Sequence, residues 1–159
     1  MRAGIGFDSH RLEGGRPLIL GGVHIEEAPR GLAGHSDADA LTHAIVDALL
    51  GAAGLGDIGE HFPDTDERWR GANSLDLLRA VAAQLADAGY SPVNIDATVA
   101  CEEPKLSAYR DEMRTKLSEA AGLEPDAVNV KFTTGEKMGF VGRGEGIAAL
   151  AIAAVQPLS

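Results

Sequence analysis

The sequence contains little cysteine and few aromatic residues. Cys101 is the only cysteine in the 159 residues, and aromatic residues make up 4% of the chain. A single cysteine excludes an intrachain disulfide and a metal site built on several thiolates, so histidines and carboxylates would have to hold any metal ion. Because aromatic side chains usually contribute much of a monomer's core, their scarcity is one indication of an oligomer.

Long apolar runs are also absent. The most apolar stretch, residues 146–155, is about ten residues long, whereas a membrane-spanning helix needs about 20. The N-terminal segment reaches Asp8 before a secretory apolar core could develop. We therefore expect a cytoplasmic protein that has no membrane partner.

Positive charge is in the minority. Lys and Arg number 14 against 24 Asp and Glu, which gives a net charge of −10 and excludes a nucleic-acid partner. An acidic protein that binds phosphates must use bound cations, helix N-termini and backbone N–H groups. The apolar fraction of 45% and the charged fraction of 24% are ordinary for a globular chain. The length fits a single domain over residues 1–159.

Strands that alternate with amphipathic helices predict an α/β (α+β) fold, in which a mixed sheet carries helices on one face. Strands are predicted at residues 2–8, 93–100 and 128–133, and a hairpin at 18–20 and 23–25. Helices are predicted at 37–53, 74–88 and 106–121, the first with Ser36 or Asp37 as its N-cap, and 54–71 is a polar loop. Residues 146–155 suit a helix by their alanine content and a strand by their Ile and Val; the sheet's need for a partner favours the strand.

Asp8 and His10 lie two residues apart at the end of the first predicted strand, so both side chains point to one side. Both are normal zinc ligands, although two polar residues at a strand end can also simply face solvent. His43 lies in the first predicted helix with Asp39 and Asp47 four residues away on the same face, where a carboxylate commonly orients a metal-binding imidazole. An acidic solvent-facing surface is the alternative. Asp8, His10 and His43 together would leave a fourth metal position open, as in catalytic zinc sites.

Three further segments contain candidate phosphate-binding groups. His35 and Ser36 lie at the predicted start of a helix, where backbone N–H groups attract anions. Five carboxylates between Asp57 and Glu67 exceed what a turn requires, although solvation of the loop also explains them. The segment 133–137 offers two hydroxyls and Glu136, whose carboxylate suits magnesium already held by phosphates. No phosphate-binding loop, dinucleotide fingerprint or hydrolase elbow is present.

Five segments resemble, in order and spacing, the motifs of the 2-C-methyl-D-erythritol 2,4-cyclodiphosphate synthase family. They are residues 6–10 (GFDSH), 35–39 (HSDAD), 57–59 (DIG), 62–66 (FPDTD) and 139–146 (GFVGRGEG). The resemblance implies a homotrimer of ferredoxin-like subunits with active sites between subunits. It implies an intramolecular phosphoryl transfer that converts 4-diphosphocytidyl-2-C-methyl-D-erythritol 2-phosphate, a small cytidylated diphosphate, into the cyclic diphosphate and CMP. This lyase reaction belongs to the non-mevalonate pathway of isoprenoid biosynthesis.

The resemblance also implies roles for individual residues. Asp8, His10 and His43 would bind Zn²⁺ or another divalent transition metal, Glu136 would bind Mg²⁺ or Mn²⁺, and His35 and Thr134 would stabilise the transition state. The methylerythritol phosphate end of the substrate would contact residues of three segments. They are Asp8, Ser9, His10, His35, Ser36, Asp57, Ile58, Gly59, Phe62, Pro63, Asp64, Thr65 and Asp66. The cytidine diphosphate end would contact Cys101, Glu102, Glu103, Pro104, Lys105, Leu106, Ser107, Thr133, Thr134, Gly135, Glu136, Phe140 and Arg143.

The sequence departs from the family pattern at two places. Cys101-Glu102-Glu103 precedes Pro104-Lys105 where the family often has Ala-Gln, and Gly135 replaces a third threonine. The first departure affects the expected contacts to the cytosine base. Two other functions remain open at this point: a zinc phosphohydrolase that releases inorganic phosphate, and a non-catalytic trimeric zinc-binding scaffold.

Overall fold

The computed structural model describes all residues from Met1 to Ser159. Its strands are β1 (Arg2–Glu13), β2 (Ile19–Leu20), β3 (Val23–His24), β4 (Gly31–Leu32), β5 (Tyr90–Ala100), β6 (Val128–Thr133) and β7 (Gly146–Pro157). Its α-helices are α1 (Ala40–Ala53), α2 (Ile58–His61), α3 (Ser74–Asp87), α4 (Arg110–Ala121) and α5 (Gly139–Gly142). Short 3₁₀ turns occupy Glu67–Trp69, Ser107–Tyr109 and Pro125–Ala127.

A five-stranded mixed sheet with the order β4-β1-β7-β5-β6 forms the centre of the fold. The long strands β1 and β5 both pair antiparallel with β7, and β5 pairs parallel with β6. The separate hairpin β2–β3 agrees with its prediction. Because the sheet contains both kinds of pairing and packs against helices, the predicted mixed α/β class is confirmed.

Helix α1 packs directly on β1 because two glycines remove the side chains between them. A Cβ at Gly6 would lie 1.8 Å from the Ala44 carbonyl oxygen, and one at Gly4 would lie 2.1 Å from that of Ala48. Side chains alternate along a strand, so the even-numbered residues of β1 face α1. Asp8 and His10 continue this series and therefore face the helix that carries His43.

The opposite face of β1 and β7 exposes large apolar side chains. Ile5 is 65% exposed, Phe7 59%, Leu150 44% and Ile152 52%. These four residues form two neighbouring cross-strand pairs, Ile5 with Ile152 and Phe7 with Leu150. A contiguous apolar patch of this kind marks an interaction surface. None of the helices has the length and apolar character needed to cross a membrane.

Four predicted boundaries were wrong, and one of them is the start of the strand predicted at 93–100, which begins at Tyr90 as β5 because Tyr90 to Pro92 also pair with β7. The first strand continues to Glu13 because β7 pairs with it well past Asp8, so Asp8 and His10 lie within the strand. Helix α1 begins at Ala40, and its N-cap is Asp39, whose side chain accepts a hydrogen bond from the Thr42 N–H. The third predicted helix begins at Arg110, after a 3₁₀ turn. The elements β4, α2 and α5 were not predicted, since each is only two to four residues long.

The remaining predictions agree with the structure. The strand at Val128–Thr133 has the predicted bounds, and the helix predicted at 74–88 occupies Ser74–Asp87. The ambiguous segment at 146–155 is a strand, β7, and it lies at the centre of the sheet. Its small side chains allow α1 to pack against it as well as against β1.

Candidate active site

Three potential metal ligands from two elements converge on one point. The Oδ2 atom of Asp8 lies 2.8 Å from the Nε2 atom of His10 and 3.1 Å from the Nδ1 atom of His43. One ligand atom from each of the three residues lies within 4.8 Å of the other two. The strand alternation of β1 and the position of His43 in α1 therefore produce the convergence that the sequence predicts.

The hydrogen bonds of His10 fit a bound cation. Its Nδ1 atom lies 2.8 Å from the carbonyl oxygen of Ala33, which can only accept, so Nδ1 carries the hydrogen. In the neutral ring, Nε2 then directs a lone pair at the Asp8 carboxylate. The Nε2 lone pair of His10 and the Asp8 Oδ2 atom are then two acceptors 2.8 Å apart. They repel each other unless a proton or a metal ion binds there. The donor set of two imidazoles and a carboxylate is one that zinc prefers.

The pKa values of Asp8 and His10 are both shifted by hydrogen bonds and charges within the cluster. Burial raises the pKa of Asp8, but the hydrogen bonds and charges of His10 and His43 together outweigh burial and lower this pKa to about 2. Burial disfavours the charged form of His10, yet the hydrogen bond and charge of Asp8 leave the pKa of His10 raised. The cluster is therefore a site where a carboxylate stays ionised and attracts positive charge.

The outer nitrogen of His43 contacts serines and neither of the predicted carboxylates. Its Nε2 atom lies 2.8 Å from the Ser74 hydroxyl and 3.2 Å from the Ser36 hydroxyl. Asp39 instead accepts the backbone N–H groups of Gly21 and Gly22 at 2.9 and 2.7 Å, and Asp47 accepts that of Ile58 at 2.7 Å. The predicted role of Asp39 and Asp47 in orienting His43 was wrong, because nearby backbone donors bind both carboxylates.

A cavity of about 370 Å³ opens beside the cluster. Besides the three potential ligands, its lining includes seven residues predicted to contact the methylerythritol phosphate: His35, Ser36, Ile58, Gly59, Phe62, Pro63 and Asp64. The structure thus brings the middle of the 54–71 segment, together with Trp69, to the cavity beside the metal cluster. Asp57 caps α2, accepting the Glu60 N–H at 3.0 Å, and the Asp66 carboxylate binds Arg68. Asp57, Thr65 and Asp66 do not line this cavity.

The predicted helix N-terminus at His35 and Ser36 was wrong. Helix α1 starts later, at Ala40, and the buried Asp39 carboxylate caps it by accepting the Thr42 N–H at 2.9 Å. The segment is held by other contacts: Arg16 donates to the Gly34 and Ser36 carbonyls at 3.0 and 3.2 Å. His35 directs its Nε2 atom to the Asp66 carbonyl at 3.0 Å. An anion here would meet side chains and loop backbone ahead of α1.

The residues predicted for the cytidine diphosphate end meet at another edge of the sheet. Because β5 and β6 are parallel, their C-terminal ends lie side by side, and the Cys101 N–H donates to the Thr133 carbonyl at 2.9 Å. A cavity of about 190 Å³ at this edge is lined by predicted residues: Cys101, Glu102, Pro104, Lys105, Leu106, Ser107, Thr133 and Thr134, with Phe132 in addition. Glu103 lines a neighbouring cavity. Cys101 is buried, and burial followed by the charge of Glu102 raises its pKa to about 11, which favours the protonated thiol over a thiolate nucleophile.

Glu102 holds the turn that carries Thr134 and Glu136. Its carboxylate accepts the backbone N–H groups of Gly135 at 2.8 Å and Lys137 at 3.1 Å. Glu136 (φ 52°) and Lys137 (φ 63°) have left-handed backbones, which cost about 1–3 kcal/mol each in residues other than glycine. The Glu102 carboxylate is therefore engaged by the protein backbone.

The two predicted ends of the site line separate cavities. The cavity beside the metal cluster and the cavity at the β5–β6 edge share no lining residue. Ser9, on the opposite face of β1 from Asp8, lines a third cavity of about 180 Å³ with Phe140. Arg143 lies 3.3 Å from Glu145 at another exposed position.

Comparison with known proteins decides the family. Residues 1–156 match the family model described as the YgbB family. The chain belongs to the YgbB family. A relative from Symbiobacterium thermophilum, named 2-C-methyl-D-erythritol 2,4-cyclodiphosphate synthase, is 60% identical over 155 residues, which is 98% of each chain. A Salinibacter ruber protein of the same name is 59% identical over 156 residues, covering 98% of this chain and 99% of its own.

A solved structure of the same enzyme confirms the fold of this YgbB-family chain. The structure of 2C-methyl-D-erythritol-2,4-cyclodiphosphate synthase in its CDP-bound form superposes with a TM-score of 0.88 at 40% identity. The superposition covers 98% of this chain and 100% of the other. The family resemblance inferred from the five sequence motifs is therefore confirmed.

Sequence reasoning missed two groups in this YgbB-family chain. Ser74 contacts His43 from 31 residues away, and Glu102 contacts Lys137 from 35 residues away. Both contacts join elements that are distant in sequence, so no local spacing indicates them. The family pattern drew attention to Glu102 as a departure, but it did not indicate the contact of this side chain with the turn at 134–137.

Proposed function

We propose that the chain is a metal-dependent 2-C-methyl-D-erythritol 2,4-cyclodiphosphate synthase whose metal centre is the cluster of Asp8, His10 and His43. The enzyme converts 4-diphosphocytidyl-2-C-methyl-D-erythritol 2-phosphate into 2-C-methyl-D-erythritol 2,4-cyclodiphosphate and CMP, as a lyase of isoprenoid biosynthesis. The observation that carries the proposal is the convergence of the three ligand atoms beside a cavity, in a chain of this family.

The reaction needs no protein nucleophile. An oxygen of the substrate's 2-phosphate attacks the β-phosphorus, and the bond from that phosphorus to the oxygen bridging the α-phosphate breaks as CMP leaves. Both reacting groups are anions, so the protein's task is positioning and neutralisation of charge. Zinc on Asp8, His10 and His43, with magnesium or manganese on Glu136, supplies that positive charge when bound.

The chain's own residues orient the substrate and donate hydrogen bonds. His35, which lines the cavity beside the metal cluster, is assigned to the transferred phosphoryl group together with the exposed hydroxyl of Thr134. The segment 57–66 is assigned to the methylerythritol phosphate, and the segment 101–107 with Thr133, Phe140 and Arg143 to the cytidine diphosphate. These assignments explain how a protein with a net charge of −10 handles an anionic substrate: cations and donors separate the two.

A homotrimer of ferredoxin-like subunits completes the site in this proposal. Two observations support it: the separate cavities share no lining residue, and the sheet face around Phe7 and Ile152 exposes apolar side chains. The metal cluster of one subunit then faces the 134–137 turn of its neighbour. Light scattering tests the assembly, since a stable monomer near 16.5 kDa at micromolar concentration contradicts it. The expected cytoplasmic location stays a prediction.

The decisive experiment incubates the metal-loaded protein with the cytidylated substrate and follows the products by phosphorus NMR. We expect CMP and the cyclic diphosphate in equal amounts, and His43→Ala serves as the control that removes a metal ligand. Inorganic phosphate without the cyclic product would favour the zinc phosphohydrolase instead. Metal binding without turnover would favour the scaffold. The family relationship supports cyclisation over both alternatives.

A further inference from the structure

The Nε2 atom of His43 begins a series of hydrogen bonds that passes through Ser74 and ends on the partly buried carboxylate of Asp37. We propose that Ser74 and Asp37 are positioning residues for His43, and that they hold its imidazole in the tautomer and orientation that bind the metal ion. The inference rests on the proposed metal centre and concerns two residues that have no role in the assignments above. Neither residue contacts the metal or the substrate in this scheme; both act through His43.

The donor and the acceptor of each hydrogen bond between His43, Ser74 and Asp37 can be assigned from the chemistry of the groups. If Nδ1 of His43, the atom 3.1 Å from Asp8, offers its lone pair to a metal, Nε2 must carry the ring hydrogen. That hydrogen points to the Ser74 oxygen at 2.8 Å. The single hydroxyl hydrogen of Ser74 is then free for the Asp37 Oδ1 atom, with which it forms a short hydrogen bond. A carboxylate at the end of such a chain strengthens the imidazole as a ligand.

Ser74 and Asp37 are themselves held rigidly. Ser74 is fully buried at the first position of α3, and its backbone N–H donates to the second Asp37 oxygen at 2.9 Å. The Asp39 N–H donates to Asp37 Oδ1 at 3.1 Å. Asp37 also fixes its own backbone, because its N–H donates to the Ala72 carbonyl at 3.1 Å. The pair therefore joins the loop before α1 to the start of α3 directly behind His43.

Ser36 is the other hydroxyl near the same nitrogen, but its geometry is less favourable. Its oxygen lies 3.2 Å from Nε2 and already accepts the Ala38 N–H at 3.3 Å. Ser36 also lines the cavity assigned to the substrate, whereas Ser74 does not. The shorter contact, the full burial and the attached carboxylate all favour Ser74 as the group that sets the tautomer of His43.

The test measures metal affinity directly, independent of turnover. Zinc dissociation constants of the full-length protein are determined by competition with a chromophoric chelator, and Co²⁺ absorption reports the ligand geometry. Loss of a partner that orients a metal-binding histidine typically weakens binding about 10–100-fold, which is the effect we expect for Ser74→Ala. We expect Asp37→Asn to weaken zinc binding as well. The double variant should lose less affinity than the sum of the two single losses, because both residues act on His43 through the same series of hydrogen bonds.

Ser118→Ala is the matched control. Ser118 is also a buried serine, 2% exposed, but its hydroxyl donates to the Thr115 carbonyl within α4. Equal thermal destabilisation of the Ser74 and Ser118 variants, with zinc affinity and the Co²⁺ spectrum unchanged in both, would reduce Ser74 to a packing role and overturn the inference. If Ser74→Ala unfolds, Asp37→Asn provides the same comparison, and parental zinc affinity in that variant overturns it.

The two levels of the account fail in different ways. A parent protein that binds no zinc, or a His43→Ala variant that binds it unchanged, overturns the metal centre and this inference with it. A parent that binds zinc through His43 and forms the cyclic product, while Ser74→Ala and Asp37→Asn bind zinc equally well, overturns only the inference.

Discussion

The metal cluster and the 134–137 turn reach their geometry by different means. The cluster lies on two long elements, β1 and α1, and the outer nitrogens of both imidazoles contact fixed groups at 2.8 Å. The turn is exposed, contains two left-handed residues, and depends on the Glu102 carboxylate from another strand end. The cluster is preformed by the packing of two long elements, whereas two N–H groups of the turn bind one side chain from outside it, Glu102. Mutations in the metal cluster should therefore change the zinc content, whereas mutations in the turn should change the rate of phosphoryl transfer.

The largest effect is expected for His43→Ala. The variant loses one of three metal ligands, so we expect zinc per chain to fall from about one to near zero and turnover to disappear with it. The apo fold should persist, because the side chain lies at the edge of the core, 9% exposed. Metal analysis of the purified variant and circular dichroism check both points. Unchanged zinc stoichiometry would remove His43 from the site.

The next largest effect is expected for Thr134→Val, which keeps the shape of the side chain and removes its hydroxyl. Loss of one donor to a developing charge costs a factor of about 10² to 10³ in turnover. Zinc content should stay at the parental level, because Thr134 belongs to the turn. Steady-state turnover measured across a magnesium titration separates this role from metal binding.

Glu136→Gln is the control in the same titration. Weakened magnesium binding is partly offset by more magnesium, so this variant should recover while Thr134→Val should not. A Thr134→Val variant that magnesium rescues, or that turns over like the parent, would contradict the role assigned to the hydroxyl. The alternative is a threonine that only satisfies backbone groups, since its oxygen accepts the Glu136 N–H at 3.2 Å.

Acidification should weaken zinc binding at the cluster. Burial acts to lower the pKa of His10, but Asp8 outweighs it, so the pKa lies above the ordinary value of 6.5. A metal ligand must be deprotonated, so zinc affinity should fall as the pH drops through this raised value, by about tenfold per pH unit for one competing proton. Asp8, with a pKa of about 2, stays ionised and adds nothing to this decline. Chelator competition measured from about pH 8 to pH 5.5 checks the slope, and a flat profile would contradict it.

The smallest effect is expected for Glu102→Ala, which releases two N–H groups of the turn. Hydrogen bonds to a charged group contribute about 1.5–3 kcal/mol, and partial exposure places the expected loss of stability nearer 1 kcal/mol. We expect a higher magnesium requirement for turnover with unchanged zinc content. Glu103→Ala, at the exposed neighbouring position, is the control for stability. Equal magnesium dependence in the Glu102 variant and the parent would argue against Glu102 as the residue that holds the turn.

The difference between the two regions also explains what the sequence could predict. Asp8 and His10 follow from strand alternation, and His43 follows from its place on an amphipathic helix, because both periodicities are local. The partners of His43 could not be found in this way. Helical spacing favoured Asp39 and Asp47, but backbone N–H groups of distant segments bind those carboxylates, and Ser74 approaches from another helix.

Boundaries failed for a related reason. Asp37 is a good N-cap residue by type, but its carboxylate accepts hydrogen bonds from Ser74, and the N-cap of α1 is Asp39. The 54–71 segment was predicted to be a loop, and it contains α2 and a 3₁₀ turn that place Ile58 and Phe62 beside the metal cluster. Tertiary contacts therefore decided where these short elements begin, whereas the family motifs had already indicated that the segment belongs to the site.

The most direct test of the account asks whether the metal cluster and the turn act together across subunits. His43→Ala and Thr134→Val are each inactive or nearly so alone, and they are mixed by unfolding and refolding into hybrid trimers. A site that combines the cluster of one chain with the turn of another is intact wherever a Thr134→Val subunit supplies the cluster and a His43→Ala subunit supplies the turn. We predict that the mixture regains turnover, with one of the three sites restored in each hybrid. Refolded hybrid trimers that stay as inactive as the separate variants would contradict a site shared between chains.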